Sequence, residues 1–423
     1  MTIKQWNWAG NYEYTAARLH EPRTIQDVQE LVKRNTKIRA LGTRHSFSSI
    51  ADSTEDLLSL HHLDRVLSLD RERRTVTFEG GIRYGQLCQY LHREGFALHN
   101  LASLPHISVA GACATATHGS GNENGNLATA VSEMELVTAD GEVLVVSRER
   151  DGDLFHGMVV GLGGFGIVTK LTLEIQPTFD VQQDIYENLP LSALEKHFDD
   201  ITSSGYSVSL FTDWKTESVN QVWVKRRIID GKKLEAESDL FGAGPATRRL
   251  HPIGELSSEN CTEQMGIPGA WHERLPHFRM DHTPSSGEEL QTEYFVSRRH
   301  AYEAILAVNR MREHITPFLM ISEVRTIAAD NFLISPCYKQ DSVALHFTWK
   351  MDEPAVMGLL PVIEKELAPF SARPHWGKLF TMSPTQLGSR YDKLQDFREL
   401  LLQYDPQGKF RNTYLDSYIF GMN

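Results

Sequence analysis

An α+β chain of more than one domain is what this sequence predicts, on three observations. It has 423 residues, it interleaves helical and strand patterns through its first part, and its register changes beyond Gln176-Pro177. That length suits two or three domains with well-filled cores, and 41% hydrophobic with 23% charged residues is the balance of an ordinary globular protein.

Taken in order, TIQDVQELVKR (24–34) carries apolar residues at 25, 28, 31 and 32, one face of a helix, and KIRALG then reads as a strand ending at Gly42. Residues 74–79 read as a second strand. After the Gly80-Gly81 turn, YGQLCQYLHREG (84–95) reads as a helix that stops at Gly95. Residues 133–137 and 142–146 flank ADG (139–141), a hairpin signature. This pattern favours α+β over a doubly wound sheet.

Past residue 177, helical patterns at 192–201, 299–315 and 355–368 alternate with the strand-like runs SVSLFTDW (207–214), ISEVRTI (321–327) and VALHFTW (343–349). A second domain around an antiparallel sheet is expected there. The stretch 231–292, rich in Gly, Pro, Ser and His, has little periodicity and reads as long loops draped over that domain. A final helix at 391–404 stops at Asp405-Pro406-Gln407-Gly408, and the tail KFRNTYLDSYIF is apolar enough to pack. The expected division is 1–178, 179–390, and a segment 391–423 returning to the first domain. There is no internal repeat and no low-complexity tract.

A formal charge of -12 excludes binding nucleic acid by broad phosphate neutralisation. The first residues lack an apolar leader core, and no run is long and apolar enough to span a bilayer, so a cytoplasmic protein without membrane or protein partner is expected. Cys88, Cys113, Cys261 and Cys337 lie far apart with no C-x-x-C pair, which suits reduced, packed thiols rather than disulfides or zinc. No metal site is expected: His61-His62, His277 and His282 have no ligand spacing and read as surface or loop residues. Trp214, Trp271 and Trp349 read as core anchors.

AGACATATHGSG (110–121) holds only Gly, Ala, Ser, Thr and Cys apart from His118, inside a stretch (95–122) free of Asp, Glu, Lys and Arg. Two readings stand: a wall pressed against a flat, diphosphate-bearing cofactor, or a close-packed crossing of backbone elements. GLGGFG (161–166) matches the dinucleotide fingerprint letter for letter. Its context does not, because IVTKLTLEI (167–175) alternates like a strand where a helix is required, so a tight turn into a strand is expected. No G-x-S-x-G, Walker or H-E-x-x-H motif occurs.

On strands, Glu323 and Arg325 share one face, as do His346 and Thr348. For two isolated strands the commoner reading is a cross-strand ion pair with surface polar groups. LGTRHSF (41–47) sets His45 in a turn just past a strand end, and taken alone it reads as a polar loop residue.

Several segments in order alter these readings. NWAGN (7–11), LGTRHSFSSI (41–50), NLASLPHISVAGACATATHGSG (100–121), SLFTDW (209–214), NCTEQMG (260–266), AWHERLPHF (270–278), HFTW (346–349) and RPHWGK (373–378) together resemble the alditol oxidases of the vanillyl-alcohol-oxidase flavoprotein family. The resemblance covers essentially the whole chain. It implies a two-part FAD-binding domain with a substrate-binding cap, and FAD bonded covalently through His45, where an electron-withdrawing imidazole on the flavin favours oxidation of a weakly reducing alcohol. Arg44 stands where this motif often has Gly. The resemblance implies further cofactor contacts at Ala40, Leu41, Gly42, Thr43, Arg44, Ser46, Asn100, Ser103, Ser108, Gly111, Thr115, Ala116, Thr117, His118, Ile167 and His375, mostly through backbone atoms. It implies a polyol site at Ser103, Glu323, Arg325, Thr348 and Lys378, with His346 and His375 beside it.

A polyol is neutral and needs a row of fixed donors and acceptors, which this set offers. Arg325 stays charged and is no base, but with Lys378 it can hold a developing alkoxide. Lys378, His346 or a water are the candidate proton acceptors. The expected reaction is oxidation of the terminal alcohol of an alditol such as xylitol or sorbitol to the aldose, with O2 reduced to hydrogen peroxide. The rivals are an aldonolactone oxidase or dehydrogenase of the same fold and a sugar-binding protein without turnover.

Overall fold

The computed structural model describes residues 5–229, 231–280 and 288–422. After a short antiparallel pair, Gln5–Trp6 with Glu13–Tyr14, come three short parallel strands: β1 (Arg18–His20), β2 (Ile38–Ala40) and β3 (Asp56–Leu58) pair in the order β1-β3-β2. Helix α1 (Ile25–Arg34) begins as its sequence directs. Thr24 accepts from the Asp27 amide in a capping box, and Val28, Leu31 and Val32 form the buried face.

Five antiparallel strands follow: β4 (Val66–Asp70), β5 (Thr75–Glu79), β6 (Val131–Val137), β7 (Val143–Ser147) and β8 (Ile167–Glu174), in the order β7-β6-β8-β5-β4. The ADG turn closes the β6–β7 hairpin. α2 (Tyr84–Arg93) ends before Gly95, whose φ of 83° is the left-handed geometry of a helix stop. The small-residue segment contains a short helix, α3 (Val109–Ala114), and GLGGFG is a turn between α4 (Arg148–Met158) and β8, not a strand-to-helix crossover.

Among the described residues the largest sheet has nine strands. Its six long members are β9 (Asp180–Pro190), β10 (Ser207–Thr212), β11 (Ser218–Arg227), β12 (Glu289–Ser297), β13 (Leu319–Ile327) and β14 (Ser342–Lys350), antiparallel in the order β9-β11-β10-β13-β14-β12. One face carries Val324, Leu345, Phe347 and Trp349 into the main core with α5 (Leu194–Ser203), α6 (Ala301–Arg310) and α7 (Glu353–Leu367). The other face is polar and looks toward the first half of the chain. Trp214, Trp271 and Trp349 are fully buried, as expected of core anchors.

The described part of 231–292 is mostly loop, with one correction. A strand, β12, starts at Glu289, and Leu290 and Thr292 sit buried on the core side of an alternation that the loop reading cut through. These loops cover Ile185, Phe211, Trp223 and Ile321 on the sheet's polar face with Leu250 and Cys261.

The chain then returns to its beginning through α8 (Leu394–Tyr404) and α9 (Thr413–Tyr418). The fully buried Arg39 guanidinium donates to the carbonyls of Phe410, Ile50 and Leu162. Asn412 donates to the carbonyls of Ser49, Ile50 and Asp52. Among the described residues no helix is long and apolar enough to cross a membrane.

Candidate active site

One elongated cavity of about 640 Å³ runs from Glu21 and His61 at the surface, past the turn 40–46 and the small-residue segment, to the polar face of the large sheet. Its middle is built where side chains are forbidden. A Cβ at Gly81 would fall 1.9 Å from the Leu60 carbonyl oxygen, and one at Gly80 2.1 Å from that of Val168. A Cβ on either Gly42 or Gly111 would fall 2.7 Å from Ser108 Oγ. The Ser108 amide donates to Thr43 Oγ1 at 3.1 Å, which locks the two expected cofactor loops together.

Of the residues expected against a cofactor, 40–46, Ser103, Ser108, Gly111, Thr115, Thr117, His118 and His375 line the cavity. Asn100, Ala116 and Ile167 do not. Asn100 is buried and donates to the Ser120 carbonyl at 3.0 Å, shaping the turn behind the wall. Ala116 is buried at a left-handed φ of 54°, and the Ile167 side chain enters a separate apolar cluster while its neighbours Gly166 and Val168 reach the cavity.

His45 faces this cavity, stacked on Trp8 with ring centroids 5.3 Å apart. Its Nδ1 is buried with no hydrogen-bond partner among the described residues, and burial lowers the ring's pKa to about 4, so the imidazole is neutral. A neutral ring with an orphaned nitrogen, in a channel walled by small residues, fits attachment to a flat cofactor.

At the inner end, pairing puts Phe211, Glu323, His346 and Glu293 opposite one another in one row across β10, β13, β14 and β12. Arg325 lies two residues from Glu323, and Thr348 two from His346, on the same face. Lys378, just past the short strand Arg373–Pro374, reaches in from the edge of the sheet.

The hub is a residue the sequence reading missed. Glu293 accepts from Lys378 at 2.7 Å and from Arg325 at 2.9 Å, and its Oε1 is 3.2 Å from His118 Nε2. Burial alone would raise its pKa, but Lys378, His118 and Arg325 together hold the carboxyl well below the usual range. Glu323 is likewise held low against burial, by Arg325 and His277. Lys378 also donates to His346 Nδ1 at 2.8 Å, and His346 Nε2 lies 3.1 Å from Thr348 Oγ1. Ser103 Oγ stands 3.5 Å from Arg325, and its carbonyl accepts from the amides of His277 and Phe278.

One histidine reading needs correction. His277 is on a loop but is 5% exposed, and its Nε2 is 2.8 Å from Glu323 Oε1. His61 and His62 lack ligand spacing in sequence, yet the fold brings Glu21 to them, with potential ligand atoms within 4.8 Å of one another. Glu21 and His61 are exposed, so this is a surface cluster at the outer mouth. His282 lies outside the described residues.

Comparison with known proteins agrees with this geometry. Residues 16–147 match the family described as FAD binding domain, and 286–418 match that described as D-arabinono-1,4-lactone oxidase. The chain is 48% identical to an alditol oxidase of a Streptomyces species, over 100% of both chains. It is 26% identical to the L-gulonolactone oxidase of Mus musculus, over 98% of each. A crystal structure of cholesterol oxidase from B. sterolicum shares the fold, with a TM-score of 0.79, 15% identity, and coverage of 99% of this chain and 97% of that one. The chain belongs to the alditol oxidases, within the vanillyl-alcohol-oxidase family of FAD flavoproteins.

Proposed function

We propose that this protein oxidises the terminal primary alcohol of an alditol, such as xylitol or sorbitol, to the aldose, with O2 reduced to hydrogen peroxide. The observation that carries the reading is the junction, within one cavity, of a small-residue channel holding His45 with a polar row of two carboxylates, two cations and a neutral imidazole. Bound FAD supplies the hydride acceptor and the route of electrons to O2. His45 Nδ1 is its covalent anchor. Residues 1–178 and 391–423 hold the cofactor, and 179–390, joined by Ser103, hold the polyol. The four cysteines are free and buried, in keeping with a reducing cytoplasm.

Arg325 and Lys378 orient the reacting hydroxyl and stabilise negative charge as it develops on that oxygen, in a site closed off by the loops of 250–278. Arg325 cannot take the proton. Lys378 spends two of its three N–H positions on Glu293 and His346, leaving one for the substrate, and burial lowers its pKa against the pull of Glu293. Lys378 takes the hydroxyl proton only as it passes one of its own to His346 Nδ1, or as the neutral amine, so the pair acts as a relay, with a water the other acceptor. Glu323, Thr348 and Ser103 accept from or donate to hydroxyls farther along the chain of a neutral substrate.

Oxygen uptake with xylitol, sorbitol and an aldonolactone tests the reaction. Faster turnover of a polyol is expected, and preference for the lactone would overturn it. Acid-precipitated wild type should stay yellow while His45→Ala releases its flavin to the supernatant; flavin released from wild type would end the covalent reading.

A further inference from the structure

A second lysine–histidine pair lies behind the polar row, outside the machinery so far described. Lys225, on β11 two strands from Glu323, is 1% exposed. Its ammonium donates to the carbonyls of Leu275 and Pro276 and lies 3.1 Å from His277 Nδ1, so three acceptors meet three N–H groups. The His277 ring is wedged between Trp223 and Phe211, at centroid distances of 5.3 and 5.4 Å with both contacts edge-on, and its backbone amide is tied to Ser103. Since Nδ1 accepts from Lys225, the ring proton sits on Nε2, which donates to Glu323 Oε1 at 2.8 Å.

From this geometry we infer that Lys225 and His277 are positioning residues for substrate binding: Lys225 holds Nδ1 and with it the orientation of the His277 ring, and His277 pins one oxygen of Glu323 so that the other faces Arg325 and a hydroxyl of the polyol. Glu323 Oε2 is 3.4 Å from Arg325 Nε, consistent with that division. The groups facing Glu323 are Arg325 on its own strand, His346 on β14, His277 from the loop, and Lys225 beyond it; Glu293 and Lys378 complete the charge around Arg325. Burial pushes His277 down to about 4, so the ring is neutral near neutral pH, and lowers Lys225 to about 7, so its full set of three ammonium donors belongs to the acid side of neutrality. A carboxylate with a free torsion would be a poor template for a substrate with many equivalent hydroxyls; one hydrogen-bonded at Oε1 and ion-paired at Oε2 favours a single orientation.

The inference rests on the alditol reading, and the test separates the two. Wild-type holoenzyme is first assayed for oxygen uptake with xylitol; no uptake would sink the alditol reading itself. In active enzyme, His277→Phe should raise KM for xylitol by about tenfold, the loss of one charge-assisted hydrogen bond, while the rate of reoxidation by O2 stays unchanged. His277→Gln places an amide N–H where Nε2–H stood and should stay within about threefold of wild type. An unchanged KM in His277→Phe, or a Gln variant as impaired as Phe, overturns the inference. Lys225→Met serves should His277→Phe fail to fold. Nitrogen-15 histidine NMR of this variant should show the His277 Nδ1 resonance shifted by loss of its donor while Nε2 keeps the proton that ionised Glu323 accepts, and an Nδ1 resonance identical to wild type would overturn the pairing.

Discussion

Lys378 Nζ stands 2.8 Å from His346 Nδ1, and that contact fixes the state of the imidazole. An ammonium has only donors, so Nδ1 accepts, the ring proton lies on Nε2, and Nε2 donates to Thr348 Oγ1. Burial, reinforced by the adjacent Lys378 charge, pushes the His346 pKa well below its ordinary value. The same arrangement recurs with Lys225, His277 and Glu323, so two neutral imidazoles protonated on Nε2 border the proposed polyol site.

Lys378→Met removes the donor to both Glu293 and His346. Loss of one preorganised donor to developing negative charge costs about 10²–10³ in rate. Flavin reduction by xylitol, followed by stopped flow, should slow by that order. Glu293 keeps Arg325, so the fold should lose less than the ~3–5 kcal/mol of breaking an isolated buried pair. Reduction at the wild-type rate would remove Lys378 from the chemistry.

Glu293→Gln should change how stability depends on pH. Its carboxyl is held below the unfolded value of about 4.3, so its share of stability is present above that pH and lost as pH falls. The variant should therefore be less stable than wild type at pH 7, with a gap that narrows between about pH 5 and pH 3. Denaturant unfolding at several pH values reads this directly, and parallel curves would contradict it. Removing the charge also leaves Arg325 and Lys378 without their common partner, so xylitol turnover falls as well.

The contrast between Glu293 and Glu323 shows what the sequence could carry. Alternation along one strand places Glu323 with Arg325 and His346 with Thr348, and those placements need no knowledge of pairing. That Glu293 faces His346 depends on the register of β12 against β14, a pairing across roughly fifty residues of chain that local periodicity does not encode. The signal was present as the alternation of Gln291, Glu293 and Phe295, but the loop-like composition upstream hid its start. His277 and Lys225 were harder to see. A loop histidine and a strand lysine look exposed in sequence, and only the covering of the polar face by residues 250–278 buries them. The channel was easier, because small residues in runs mark close approach whatever the tertiary pairing, and only Asn100, Ala116 and Ile167 turned out to stand behind its wall.

Arg44 has φ of 62° in the turn that carries His45, a position where glycine costs nothing. Left-handed backbone costs an ordinary residue ~1–2 kcal/mol, while introducing glycine costs about 0.4–1 kcal/mol through the unfolded chain. The balance runs from about zero to ~1.6 kcal/mol in favour of Arg44→Gly. The Arg44 side chain is exposed, and the turn is held independently of it, by the Trp8 amide on the Arg44 carbonyl at 2.8 Å and by Thr43 on the Ser108 amide. The variant should melt at or slightly above the wild-type temperature and keep its flavin through acid precipitation. A clear drop in melting temperature would mean that the guanidinium, rather than the backbone, sets the shape of this turn.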